Sequence, residues 1–137
     1  VEAVLPKNTE DRNILGNREK ILLVDDNEMV LEIGKALLEE LNYKVLTAKD
    51  GQEAVATYRA FKDVIDMLVL DVVMPKMGGV EALRIIRQED PEVKAIFCTG
   101  YDKLNVVTED EGISLESVIT KPFSISELSQ KLKSTLG

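Results

Sequence analysis

This chain has few reactive residue types. It contains no histidine and a single cysteine, so its chemistry must come from carboxylates, hydroxyls and amines. Those groups follow a pattern. The apolar run Met67-Leu68-Val69-Leu70 stops at Asp71, followed by Val72, Val73, Met74, Pro75 and then Gly78-Gly79. The run Ile21-Leu22-Leu23-Val24 stops at the pair Asp25-Asp26. Lys94-Ala95-Ile96-Phe97-Cys98 stops at Thr99-Gly100, and the short Ser117-Val118-Ile119-Thr120 stops at Lys121-Pro122. Short aliphatic runs bounded by turn signals are the pattern of strands buried on both faces. In a parallel sheet such strands all point one way, so Asp25, Asp26, Asp71, Thr99 and Lys121 gather at one edge. That edge is where open α/β sheets bind ligands.

Each residue alone has a simpler reading. Asp25 and Asp26 could cap a helix, Thr99 and Asp71 could be turn formers, and Lys121 a surface amine. Their joint placement at strand ends outweighs those readings. Three clustered carboxylates repel unless a cation lies among them. An oxygen-only set favours a hard ion, Mg²⁺ or Mn²⁺. Magnesium keeps several waters and leaves room for a phosphoryl group. Thr99 can donate a hydroxyl hydrogen bond to such a group, and Lys121 can place an ammonium on its oxygens. Asp71, central and single, suits a carboxylate nucleophile attacking phosphorus.

The stretches between strands must hold these groups in place. Val30, Ile33, Leu37 and Leu41 recur at helical spacing and predict a helix from about Glu28 to Leu41, with Glu28, Glu32, Glu39 and Glu40 outward. Gly34 inside it points to close packing on the sheet. Lys44–Ala48 reads as a strand. Asp50-Gly51-Gln52-Glu53 is a capping pattern opening a helix to about Phe61, with Ala54, Val55, Tyr58 and Phe61 as its stripe. A third helix is predicted over Gly79–Glu89, packed through Val80, Leu83 and Ile86. Leu104, Val106 and Val107 hint at a short fourth helix within 101–116. Ser124-Ile125-Ser126-Glu127 is another capping box, opening a last helix with Ile125, Leu128, Leu132 and Leu136 on one face. Five strands alternating with five helices make a doubly wound α/β fold with a parallel sheet.

The bulk numbers agree with one domain. The chain has 137 residues, 45% of them hydrophobic, which suits one globular core. A net charge of −8 argues against direct contact with nucleic acid and favours solubility and an acidic, cation-seeking pocket. No apolar run reaches the roughly 18 residues of a membrane span, so no membrane contact is expected. Cys98 sits in an apolar run and reads as a small core residue; with no possible internal disulfide, a reducing, cytoplasmic compartment is the expectation. Residues 1–19 are polar and aperiodic and read as a tail or linker, leaving 20–137 as the domain. The chain begins with Val1 rather than Met, which suggests a piece of a longer protein.

The sequence resembles the receiver domain of two-component response regulators. The resemblance rests on Leu23-Val24-Asp25-Asp26, on Leu70-Asp71-Val72-Val73-Met74-Pro75 with Gly78-Gly79, on Thr99-Gly100, and on Lys121-Pro122-Phe123, and covers about residues 20–136. It implies a flavodoxin-like, CheY-like fold with strand order 2-1-3-4-5. It implies that Asp71 accepts a phosphoryl group from the phosphohistidine of a histidine kinase or phosphotransfer domain. By the same resemblance Asp26 and Asp71 bind Mg²⁺ directly, Asp25 mainly through water, and the main-chain carbonyl of Val73 completes the metal site. Thr99 and Lys121 would hold the phosphoryl oxygens, and the Lys121-Pro122 bond would be cis. The output would be a change on the face formed by the fourth helix, fifth strand and fifth helix, read by a downstream protein or a second copy of the chain. The missing histidine fits, because the phosphodonor must then lie in another domain or protein. A C-terminal receiver in a membrane-bound hybrid sensor kinase is the favoured parent, ahead of a single-domain regulator.

The sequence also departs from that family. Val118 stands where an aromatic residue often precedes the lysine by three positions, which leaves Tyr101 as a candidate for the related role. Ser114-Leu115-Glu116-Ser117 replaces the small residues common ahead of the fifth strand. Val73 cannot orient an attacking water as an acid or amide would, so a long-lived acyl phosphate is expected. The rival readings are a Mg²⁺-dependent phosphatase working through a phospho-aspartate and an inert docking pseudo-receiver. The first needs a second acid near the nucleophile, where Val73 stands; the second sits poorly with a complete acceptor set. A flavin-binding domain on a similar fold would give no reason for the acidic cluster. No catalytic turnover is expected.

Overall fold

Strand β3 (Met67–Asp71) is buried at every residue and forms the middle of the sheet. The structure is a computed structural model that describes residues 15–74, 76–100, 118–121 and 124–136. The described elements run in the order β1 (Lys20–Val24), α1 (Glu28–Glu40), β2 (Lys44–Ala48), α2 (Gly51–Phe61), β3, α3 (Gly79–Glu89), β4 (Ala95–Thr99), β5 (Val118–Thr120) and α4 (Ile125–Leu136). The sheet order is β2-β1-β3-β4-β5, and every neighbouring pair is parallel. This is the doubly wound α/β class expected from the sequence, with the expected strand order. The expected fourth helix falls within 101–116, outside the described residues, so the helix that the sequence places fifth is α4 here. Tyr101, residues 114–117, Pro75 and the Lys121-Pro122 bond also lie outside them, wholly or in part.

Alternation along each strand divides the core in two. Leu22, Val24, Leu68 and Leu70 pack with Ala54, Val55 and Tyr58 of α2 and with Ala82, Leu83 and Ile86 of α3. Ile21, Leu23, Met67 and Val69 face the other way and pack with Leu31 and Leu38 of α1 and with Leu128 and Leu132 of α4. Both faces of the sheet are thus covered, which is why the strands read as unbroken apolar runs.

Two helix faces differ from expectation. The buried residues of α1 are Leu31, Gly34 and Leu38, while Ile33 is 54% exposed. Apolar residues at 30, 31, 33, 37, 38 and 41 make two overlapping stripes one residue apart. Gly34 decides between them, because a Cβ there would lie 2.8 Å from Leu23 Cδ2. Only the face carrying Gly34 can come that close to the sheet. In α2, Ala54, Val55 and Tyr58 are buried as expected, but Phe61 in the final turn is 48% exposed.

Caps set the helix starts. Asn27 caps α1, its side chain accepting from the N–H groups of Met29 and Val30 at 2.9 and 3.2 Å. Asp50 accepts from Glu53 N–H at 2.8 Å at the start of α2, and Ser124 Oγ accepts from Glu127 N–H at 3.0 Å at the start of α4. The described end of the leading segment, Leu15–Glu19, is packed on the domain. Gly16 N–H donates to Leu41 C=O at 2.6 Å and Arg18 N–H to Asn42 C=O at 2.8 Å.

Candidate functional site

The carboxyl ends of β1 and β3 carry three carboxylates whose oxygens lie within 4.8 Å of one another: Asp25, Asp26 and Asp71. Asp25 and Asp71 are buried, at 2% and 7% exposure, and Asp26 is exposed. Lys121, following β5, enters the group. Its Nζ lies 2.6 Å from Asp25 Oδ2 and 3.3 Å from Asp71 Oδ1. Thr99, 1% exposed, sits one residue past Cys98, the register partner of Asp71. Its carbonyl accepts from Lys121 N–H at 2.8 Å, which fixes where the lysine leaves the sheet. The structure thus brings residues 25, 26, 71, 99 and 121 together at strand ends on a common rim, the first three by their carboxylates, Lys121 by its ammonium and Thr99 by its carbonyl.

The local backbone explains the placement. Asp25 N–H donates to Ala48 C=O, continuing the β1–β2 ladder by one residue. Asp25 Oδ1 then accepts from Asn27 N–H at 2.9 Å, leaving Oδ2 for Lys121. Beyond Asp71 the chain turns sharply. Val72 N–H donates to Cys98 C=O, Gly79 N–H donates to Val72 C=O at 3.0 Å, and Gly51 N–H donates to Met77 C=O at 3.1 Å. A Cβ at Gly79 would lie 2.2 Å from the Asp71 carbonyl oxygen, so only glycine admits this turn. Lys76 takes a left-handed φ of 68° within it. Val73 lies two residues past Asp71 with its side chain half-exposed; nothing it carries can give or take a proton.

The electrostatics follow from burial. The Asp71 carboxyl is pushed up from 3.8 to about 6, first by loss of water, then by the negative charges of Asp25 and Asp26; Lys121 opposes the shift. For the Lys121 ammonium, burial works downward, but the hydrogen bond to Asp25 and the charges of Asp71 and Asp25 outweigh it and raise its pKa. Burial pushes the Cys98 thiol up, which makes it an inert core residue rather than a nucleophile.

The donor set fits a divalent ion of the hard class. All three side chains offer oxygen, they converge, and one stays exposed to solvent. Sequence reasoning missed two features. Lys121 approaches Asp25 more closely than it does Asp71, a preference set by distance alone. Asn27, beside the acidic pair, both caps α1 and anchors Asp25; its position one residue before a helical pattern was the available signal.

Residues 21–133 match the family described as response regulator receiver domain, so the chain belongs to that family, the receiver domains of two-component signal transduction. It is 31% identical over 119 residues to Protein CcdB of Bacillus subtilis, covering 86% of this chain and 98% of that protein. It is 33% identical over 118 residues to the alkaline phosphatase synthesis transcriptional regulatory protein PhoP of Bacillus subtilis, covering 86% of this chain but 48% of that protein. The chain thus spans about half the length of that relative. Among solved structures, the response regulator TrrA of Thermotoga maritima, in complex with Mg²⁺-BeF, superposes with a TM-score of 0.76 at 30% identity, covering 86% of this chain and 99% of that one. Among the described residues no helix is long and apolar enough to cross a membrane.

Proposed function

We propose that this domain is a phosphoacceptor switch that takes a phosphoryl group from a phosphohistidine onto Asp71. The observation that carries the reading is the convergence of Asp25, Asp26, Asp71 and Lys121 around a buried aspartate at a sheet edge. An Asp71 carboxylate oxygen attacks phosphorus, the new O–P bond forms as the N–P bond breaks, and the electron pair returns to the imidazole nitrogen of the donor, which takes up a proton. Asp25, Asp26 and Asp71, with the Val73 carbonyl, would hold a Mg²⁺ or Mn²⁺, whose charge when bound offsets that of the phosphoryl oxygens. Lys121, already 3.3 Å from Asp71, pairs with a phosphoryl oxygen, and Thr99 donates its hydroxyl to another. The donor is a histidine kinase or phosphotransfer domain, since the chain has no histidine of its own.

The added charge and acceptor oxygens draw Thr99 and Lys121 toward Asp71 and reshape the face around β5 and α4 for a downstream protein. The domain is not a turnover enzyme, because Val73 gives no second acid to protonate a leaving group. The test is intact-mass measurement after incubation with acetyl phosphate and Mg²⁺. A gain of one phosphoryl group, absent in Asp71→Asn and absent with chelator, is expected. Labelling that persists in Asp71→Asn would refute the assignment, and steady release of phosphate from a generic phosphomonoester would refute the switch.

A further inference from the structure

We propose that the junction between β2 and α2, residues 48–51, braces the acidic rim from behind, and that Asp50 and Gly51 are positioning residues that set how tightly the three carboxylates hold a divalent ion. This rests on the switch reading above and deepens it: β2 sends no side chain to the rim, yet its end governs the site.

The junction touches both halves of the acidic cluster. Ala48, the last residue of β2, accepts from Asp25 N–H at 3.2 Å. Gly51, the first residue of α2, donates its own N–H to Met77 C=O at 3.1 Å. Met77 lies in the turn after β3, and each step from it back to Asp71 is a close contact. Gly78 follows, where a Cβ would come within 2.6 Å of the Val72 carbonyl oxygen. Gly79 N–H donates to that same carbonyl at 3.0 Å, and Gly79 rests against the Asp71 carbonyl. The junction therefore grips the backbone of Asp25 on one side and the turn that aims Asp71 on the other. Those are the residues whose carboxylate oxygens converge with that of Asp26.

The sequence at the junction suits this role. The first N–H groups of a helix have no partner inside it, and the Met77 carbonyl supplies one for Gly51. Helix propensity alone favours alanine at that position. A Cβ there would lie 2.5 Å from the Met77 carbonyl oxygen. A main-chain atom cannot swing aside, so either the turn or the helix would have to move. Asp50 fixes the first turn of α2 against such movement. Its Oδ1 accepts from Glu53 N–H at 2.8 Å, and Glu53 Oε1 accepts from Lys49 N–H at 3.1 Å, a reciprocal capping box.

Neither Asp50 nor Gly51 belongs to the carboxylate cluster, so their influence passes through the backbone. A metal site depends on the groups that orient its ligands, because small shifts in ligand position change the affinity directly.

Titration of MgCl₂ into the full chain, followed by calorimetry, tests the brace. Gly51→Ala is expected to weaken Mg²⁺ binding about tenfold and Asp50→Ala about threefold. Asp50→Asn, which keeps the cap and loses the charge, is expected to stay within about twofold of the original chain. Leu38→Ala, which loosens the packing on the other side of the sheet, is expected to stay within the same about twofold range. Unchanged affinity in Asp50→Ala would overturn the brace, and this arm decides even where Gly51→Ala does not fold. An equal loss in Leu38→Ala would trace the effect to general instability, and an equal loss in Asp50→Asn to charge; either would overturn the brace. In all of these the original chain still binds Mg²⁺ and gains mass with acetyl phosphate, so the switch stands. Failure of the original chain to do both would overturn the switch reading and the brace with it.

Discussion

Asp71 sits in conflict with its surroundings. Burial and two neighbouring carboxylates disfavour its charged form, and one ammonium at 3.3 Å compensates only in part. Because its pKa is raised from 3.8 to about 6 on folding, the group contributes stability that is present below about pH 4 and lost as pH rises through about 6. Metal-free protein is therefore expected to lose thermal stability across that interval, as followed by melting at fixed ionic strength. Asp71→Asn is expected to flatten this dependence and to stabilise the metal-free domain at pH 7 on the order of 2 kcal/mol. An unchanged pH slope would show that another group carries it. Val73 makes a second prediction. Its half-exposed aliphatic side chain offers nothing to an attacking water. Val73→Asn is expected to shorten the lifetime of the phosphorylated state several-fold, measured as loss of the mass gain with time; no acceleration would count against that role. The five side chains at the rim were legible because each interrupts an apolar run. The closer pairing of Lys121 with Asp25 was not, because it depends on distances that no spacing along the chain encodes.

At the scale of elements, the turn after β3 has least tolerance. Gly79 lies against the Asp71 carbonyl, and the turn it permits aims Asp71 at the rim. Gly79→Ala is expected to destabilise the domain by about 3 kcal/mol and to lower the rate of phosphorylation, read by denaturant melts and mass labelling together. Helix α1 shows where pattern reading stops. Its sequence supports two apolar stripes, and the choice between them comes from the contact of Gly34 with Leu23 across the helix–sheet interface. Leu38→Ala, on the buried face, is expected to cost roughly 3 kcal/mol. Ile33→Ala, on the exposed one, is expected to change stability by less than about 0.5 kcal/mol. The reverse order in urea midpoints would mean that α1 is rotated. The packing of Leu15–Glu19 on the domain was equally hidden, because it is made in large part by backbone groups, such as Gly16 N–H donating to Leu41 C=O, that leave no mark on the side-chain pattern.

Across the whole molecule, the parallel sheet does the organising. Strands buried on both faces must be apolar throughout, so any polar residue at a strand's end marks the rim, and parallel order sends every rim to one side. That is why the class and the candidate rim could be read from four interrupted runs, whereas the strand order was legible only through the resemblance to receiver domains. The expected fourth helix and Tyr101 lie outside the described residues. The central claim is that a single carboxylate, Asp71, carries the phosphoryl group. Borohydride reduces an aspartyl phosphate to homoserine, so reduction of the labelled protein followed by peptide sequencing reads the acceptor directly. Homoserine in place of Asp71 is the expected result; homoserine in place of Asp25 or Asp26, or a phosphoryl group that resists reduction, would contradict it.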